Sequence, residues 1–209
     1  MMTCCSKTVC KGCDHANNLR EVTMMLKSTC PFCREPTPST DEQCDKQMME
    51  RIAVNDPVAM RLWGREQYKK GNYQSAFEYY TKAAELGDVD AHFRLAFLYH
   101  HEHGVEKDYG KFVHHLEEAA IGGHPGTRCR LGYIERISDR TERAVKHFII
   151  AATQGDDYSI KLLMDVFKNG MVKKEDLAAA LRAHQAAVDA TKSPQREVAE
   201  EFYRNRPVL

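Results

Sequence analysis

One phrase recurs along this chain and restricts its fold more than any other feature. Ala83-Ala84-Glu85-Leu86-Gly87-Asp88 returns as Ala119-Ala120-Ile121-Gly122-Gly123-His124 and again as Ala151-Ala152-Thr153-Gln154-Gly155-Asp156. The closing glycines, Gly87, Gly123 and Gly155, are 36 and 32 residues apart. Self-similarity at such a period marks a repeat array, in which one supersecondary unit stacks on the next because a single unit cannot bury its own apolar face.

Each unit reads as two helices. The first helices align at Ala59, Ala91, Thr127 and Ser159, with Gly64, Ala96, Gly132 and Met164 five residues on, where a small side chain allows close approach of a neighbour. The second helices carry Ala76, Phe112, Ala144 and Ala179, then Tyr80, Leu116, Phe148 and Ala183 four residues later, then the paired alanines. An apolar residue at every third or fourth position gives a helix with one buried stripe. A glycine after the pair suits the left-handed conformation that closes a helix.

Together with Gly104-Val105-Glu106-Lys107-Asp108 between the helices of the second unit, these residues resemble Sel1-like repeats, a tetratricopeptide-related family of variable period. The resemblance spans about residues 57–190 and is strongest in the first three units. In the fourth, Gly170 to Asp176 echoes the loop and Ala186-Ala187 the alanine pair. It implies an all-α fold, an α-solenoid of helix-turn-helix units, with a protein partner held on the concave face.

The rest of the chemistry precedes the repeats. Six of the eight cysteines fall within the first 33 residues: Cys4, Cys5, Cys10, Cys13, Cys30 and Cys33. The N-terminal sequence lacks a basic region followed by an apolar core, so no secretory signal is read there. The longest wholly apolar runs, such as Phe148 to Ala152, hold five residues, against about 20 for a membrane helix. The expectation is an intracellular protein, cytoplasmic or nuclear, whose clustered cysteines bind metal rather than form disulfides. Two Cys-x-x-Cys pairs each supply adjacent corners of a tetrahedral zinc site. A thioredoxin-like redox role needs a strand-helix-strand context that the flanking residues lack.

Two layouts are open. By spacing alone, Cys10, Cys13, Cys30 and Cys33 suit one ribbon-type site. Alternatively, Cys4-Cys5-Ser6-Lys7-Thr8-Val9-Cys10-Lys11-Gly12-Cys13 followed by Cys30-Pro31-Phe32-Cys33-Arg34 resembles the second half of a RING finger. The resemblance implies that Cys4 and Cys5 form the second ligand pair, Cys10 and Cys13 the third, and Cys30 and Cys33 the fourth. The second and fourth pairs would share one zinc. The first pair would lie before Met1, which leaves Cys10 and Cys13 two partners short, with His15 or Cys44 as candidates. Arg34 stands where such ligases often carry a cation that contacts ubiquitin.

Pro36-Thr37-Pro38 interrupts secondary structure, and Ser39 with Glu42 has capping-box spacing for a helix running to about Ala53. The expected organisation is a zinc-binding RING-like module over residues 1–38, a linker helix over 39–56, about four repeats over 57–190, and a polar tail or capping helix over 191–209.

Function classes narrow by exclusion. Thirty basic residues balance 30 acidic ones, which gives no footprint for nucleic acid. No phosphate loop or nucleophile elbow is present. His100, His101 and His103, with His114 and His115 beyond, read as a solvated loop rather than a metal site, and Cys129 as a small buried apolar residue. The reading is a protein-interaction scaffold with a zinc-bound module. The alternative is a RING-type ubiquitin ligase whose repeats recruit substrate and whose finger recruits a ubiquitin-conjugating enzyme.

Overall fold

The computed structural model describes residues 4–5, 9–124 and 126–205. Among these the chain is all-α, with eleven helices and a single isolated bridge between Thr29 and Pro36. It divides into two compact units: residues 61–191, and residues 1–60 together with 192–209.

Residues 61–191 are the repeat solenoid. The helices pair as α3 (Pro57–Lys69) with α4 (Tyr73–Glu85), α5 (Val89–His101) with α6 (Tyr109–Ile121), α7 (Thr127–Ile137) with α8 (Thr141–Thr153), and α9 (Asp157–Lys168) with α10 (Lys174–Ala190). The recurrent phrase is the joint between units. At each joint a glycine sits at positive φ, +86° at Gly87 and Gly123 and +88° at Gly155. The next N–H then reaches back to the first alanine of the pair: Asp88 to Ala83, His124 to Ala119 and Asp156 to Ala151, at 2.9, 2.9 and 3.1 Å. This Schellman closure satisfies carbonyls that the ended helix leaves free. The aspartates then turn to the following helix, Asp88 accepting from Ala91 N–H at 2.8 Å and Asp156 from Ser159 N–H at 2.7 Å. One short phrase therefore stops one helix and starts the next.

Packing within a unit follows the small and large residues read from the sequence. A methyl group added to Gly64 would meet the Tyr80 ring at 2.9 Å, and one added to Gly132 would meet Phe148 at 2.6 Å. These glycines let the large rings of α4 and α8 lie against the first helix of their own unit. Tyr80, Leu116 and Phe148 are all but fully buried, as are Ala91, Thr127 and Ser159. Between the first two units, Arg61 reaches Asp88 at 2.8 Å and Asp90 at 3.3 Å.

The fourth unit departs from the expected register. Met164 is 45% exposed, and Ala179 is exposed where a buried residue was expected. The buried stripe of α10 instead carries Leu177 and Ala180, with Ala183, His184, Ala187 and Val188 half-buried, so the best alignment runs one residue later than Ala179, Ala183 and Ala186-Ala187. Ala178-Ala179-Ala180 has three equivalent side chains, so its composition carries no register. His184 helps fix it, pairing with the Ala152 carbonyl at 3.2 Å and Asp157 at 3.0 Å.

In the other unit, α1 (Lys11–Thr23) and α2 (Asp41–Ala53) are joined by a hairpin, and α11 (Pro194–Arg204) packs on α1. Gly12 makes that approach feasible, because a Cβ there would meet the Arg196 backbone at 2.8 Å. The C-terminal stretch, expected as a tail or a cap on the repeats, is thus a helix paired with α1. The cap of α2 also differs by one residue. Thr40, not Ser39, accepts from Gln43 N–H at 3.2 Å, while the Gln43 side chain accepts from Ser39 N–H at 3.0 Å. Pro36 and Thr37 are the return arm of the hairpin, with Thr37 N–H donating to the Ser28 carbonyl at 3.1 Å.

Candidate functional site: a cysteine cluster and a groove in the repeats

Cys30-Pro31-Phe32-Cys33 forms the tip of the hairpin over residues 28–37. Cys30 N–H donates to the Glu35 carbonyl at 2.8 Å and Arg34 N–H to the Cys30 carbonyl at 2.9 Å, with Arg34 at a φ of +62°. This tight turn aims both sulfurs the same way. The hairpin is tied to α1 by buried Glu21, whose carboxylate accepts from Thr29 N–H at 3.2 Å and Asn17 at 3.0 Å. Those bonds, Thr29 foremost, hold the Glu21 carboxyl below its ordinary range.

Cys4 and Cys5 meet this tip. The Cys5 and Cys30 sulfurs lie 3.6 Å apart, those of Cys4 and Cys33 3.3 Å apart, and all four fall within 4.8 Å of one another. Arg51 of α2, itself ion-paired with Asp56, donates to the Cys4 carbonyl at 2.9 Å and fixes that segment.

The donor set fits a metal. Tetrahedral zinc thiolate, with bonds of about 2.3 Å, requires sulfur–sulfur edges of about 3.8 Å, close to the separations found. Burial opposes ionisation of Cys30, but the backbone N–H groups of Cys33 and Phe32 and the neighbouring thiols bring it down to about 6. Burial and the adjacent sulfurs push Cys4 far up. Four thiols this close cannot all ionise without a cation among them, and a bound zinc would supply that charge.

Cys10 and Cys13 stand outside the cluster. Cys10 caps α1, its sulfur accepting from Cys13 N–H at 3.3 Å. That bond, with the Cys13 thiol and Arg196, lowers Cys10 to about 7. His15 lies tilted against the Phe202 ring at 4.6 Å, and Cys44 is half-buried on α2 with its thiol raised by burial. Neither joins Cys10 and Cys13 in a metal-binding group among the described residues. The ribbon-type set of Cys10, Cys13, Cys30 and Cys33 is therefore not the one brought together.

The repeat histidines serve as aromatic partners. His103 stacks on Tyr73 at 4.5 Å and accepts or donates at Tyr68 Oη at 2.9 Å, while His100 lies 4.8 Å from Phe112 and His115 is stacked on Tyr99. Cys129 is buried, as expected, in the core between the third and fourth units.

Sequence reasoning missed a groove. Phe112, Cys129 and Ile134 floor an open cavity of about 500 Å³, rimmed by Tyr109, Tyr133 and Ile137. The signal was available as large apolar residues lying off the buried stripes of α6 and α7.

The fold recurs in solved structures. A Sel1 repeat protein from Oxalobacter formigenes superposes with a TM-score of 0.61 at 20% identity, covering 86% of this chain and 72% of that one. A protective antigen of uropathogenic Escherichia coli gives 0.55 at 18% identity, covering 83% and 38%. In sequence, the DAP3-binding cell death enhancer 1 proteins of Mus musculus and Rattus norvegicus are each 23% identical over 196 residues. That match covers 75% of this chain, which spans only 38% of the length of those relatives. The Sel1 repeat profile matches residues 57–88, 89–124 and 129–156. With the joints, buried stripes and helix pairs in the same places, the matched residues form Sel1 repeats.

Proposed function

We propose that this protein is an interaction scaffold whose Sel1 repeats hold a segment of a partner protein and whose other unit is a zinc-bound cysteine module. The observation that carries it is the groove of the second and third repeats, where several large apolar side chains open to solvent line one cavity. Repeat arrays present extended concave surfaces of this kind, and large exposed apolar groups mark interaction sites. The relatives' name records protein binding, which agrees with this reading. A photo-crosslinking residue at Tyr133 should capture partner protein in cells, whereas one at the exposed Lys146 of α8 should not. Equal yields at both positions would defeat the proposal.

In the module, Cys4, Cys5, Cys30 and Cys33 are the proposed zinc ligands, supported by their convergence. Their grouping is also the one implied for the second and fourth pairs of a RING finger, which keeps a ubiquitin ligase as a second reading. In that reading exposed Arg34, next to Cys33, contacts ubiquitin, and a conjugating enzyme is a further partner. Chain formation by the purified protein with a panel of conjugating enzymes, lost in Arg34→Ala, would establish it. No chain formation with any of them leaves the scaffold.

A further inference from the structure

The charges around the groove say what kind of segment it takes. Arg94 and Arg130 occupy equivalent positions, each three residues after the aligned Ala91 and Thr127, on the first helices of the second and third repeats. Both are exposed, and both guanidinium groups approach one ring, that of Phe93, at 5.8 and 5.9 Å. Phe93 also stacks on His124 at 4.3 Å.

Among the described residues neither arginine has a carboxylate within ion-pair distance, although several other arginines of the repeats do. Arg61 holds Asp88 and Asp90, Arg136 holds Asp165, and Arg140 and Arg143 share Glu135. The nearby acids are already engaged: Asp90 faces Arg61 and His124, and Asp156 caps α9. Two cations converging on one ring with no anion between them form a site whose missing component is an acid. A guanidinium lying against an aromatic ring still presents its N–H fork to a carboxylate, and such paired bonds are the strong ones.

Arg130 also lines the groove, so the cationic pair adjoins the apolar cavity. Tyr109, Tyr133 and Ile137 remain 54%, 48% and 64% exposed around a floor of Phe112 and Ile134. About 500 Å³ accommodates one or two bulky side chains. We infer that the groove between the second and third repeats takes an acidic peptide segment, with a large aromatic or aliphatic side chain in the cavity and flanking carboxylates on Arg94 and Arg130. The inference rests on the repeats being a protein-binding surface. A peptide is favoured over a nucleic acid because two cations beside an apolar cavity match one or two carboxylates flanking a bulky side chain rather than a continuous phosphate chain.

The test is selection of a random phage-displayed peptide library on the full chain, followed by fluorescence anisotropy with a synthetic copy of an enriched peptide. Enriched peptides should combine aspartate or glutamate with tryptophan, phenylalanine or leucine. Arg94→Gln, Arg130→Gln and Tyr133→Ala should each weaken binding by about tenfold. Replacing the peptide's carboxylates by amides should do the same, while Arg136→Gln should leave binding unchanged. All four positions are on the surface or half-exposed, so unchanged circular dichroism separates lost binding from lost fold. Enrichment of peptides without acids, binding indifferent to Arg94 and Arg130, or stronger binding of a single-stranded RNA oligonucleotide would each overturn the inference. If crosslinking at Tyr133 still captures protein in those cases, the scaffold reading survives and this refinement alone fails.

Discussion

The two units reach order by different means. In the repeats every helix contributes buried apolar side chains, grouped in clusters such as those around Leu116 and around Phe148 and Leu163, and each joint is closed by the same backbone device. In residues 1–60 and 192–209 the buried apolar side chains among the described residues are only Cys30, Met48, Ala59, Met60 and Ala199. Meanwhile Leu19, Val22, Met24, Met25, Leu26 and Phe32 are exposed there. A unit with so thin a core needs another source of cohesion, as small domains generally do, and a metal held by the four converging sulfurs would provide one. Repetition distributes stability over many weak contacts, whereas a metal in the cysteine unit would concentrate it at one point.

The comparison breaks most readily at the metal. Chelation, or Cys30→Ser, should remove zinc and the helicity of α1 and α11 while the repeats keep theirs, because binding by a structural zinc site is worth about 10–16 kcal/mol. Cys10→Ser should keep its zinc. Zinc content by atomic absorption, read beside circular dichroism, checks both, and a chelated protein with undiminished helicity would show that the cysteine unit needs no metal.

A smaller effect is expected from Phe148→Ala. The ring is fully buried between Gly132 and the core of the third and fourth repeats, so its loss should cost about 3–5 kcal/mol. Thermal unfolding should show the repeat transition falling while zinc content stays constant. Loss of zinc in this variant would mean that the two units do not hold their order independently.

The smallest effect should come from pH. Burial foremost, then His92, His114 and Lys111, push His115 from 6.5 down to about 4. The folded protein thus keeps His115 neutral where the unfolded chain would protonate it. This contribution to stability is intact above pH 6.5 and is lost progressively as pH falls from 6.5 towards 4. His115→Gln should therefore lower the melting point less than wild type does between about pH 7 and about pH 5. Identical pH profiles would assign the acid sensitivity of the repeats to other groups.

What could be read from sequence was what local chemistry dictates. The period, the helix pairs and the left-handed glycines at Gly87, Gly123 and Gly155 follow from side-chain spacing and from the backbone freedom of one residue type. The aligned Ala91, Thr127 and Ser159 are buried as their positions require. Where a segment has no distinguishing side chains, as in Ala178-Ala179-Ala180, the register was undetermined until packing on Ala152 and Asp157 selected it.

Tertiary structure alone decided the long-range choices. Cys5 meets Cys30 and Cys4 meets Cys33 across 25 and 29 residues, while Cys10 and Cys13, in a motif of the same spacing, are drawn aside to cap α1. Pairing of α11 with α1 joins opposite ends of the chain through Gly12. The convergence of Arg94 and Arg130 on Phe93 arises from stacking two repeats, so neither repeat alone contains it. Short-range preferences are properties of residues and can be read one after another. Which distant side chains meet depends on how whole helices pack, and that is settled only when the chain is folded.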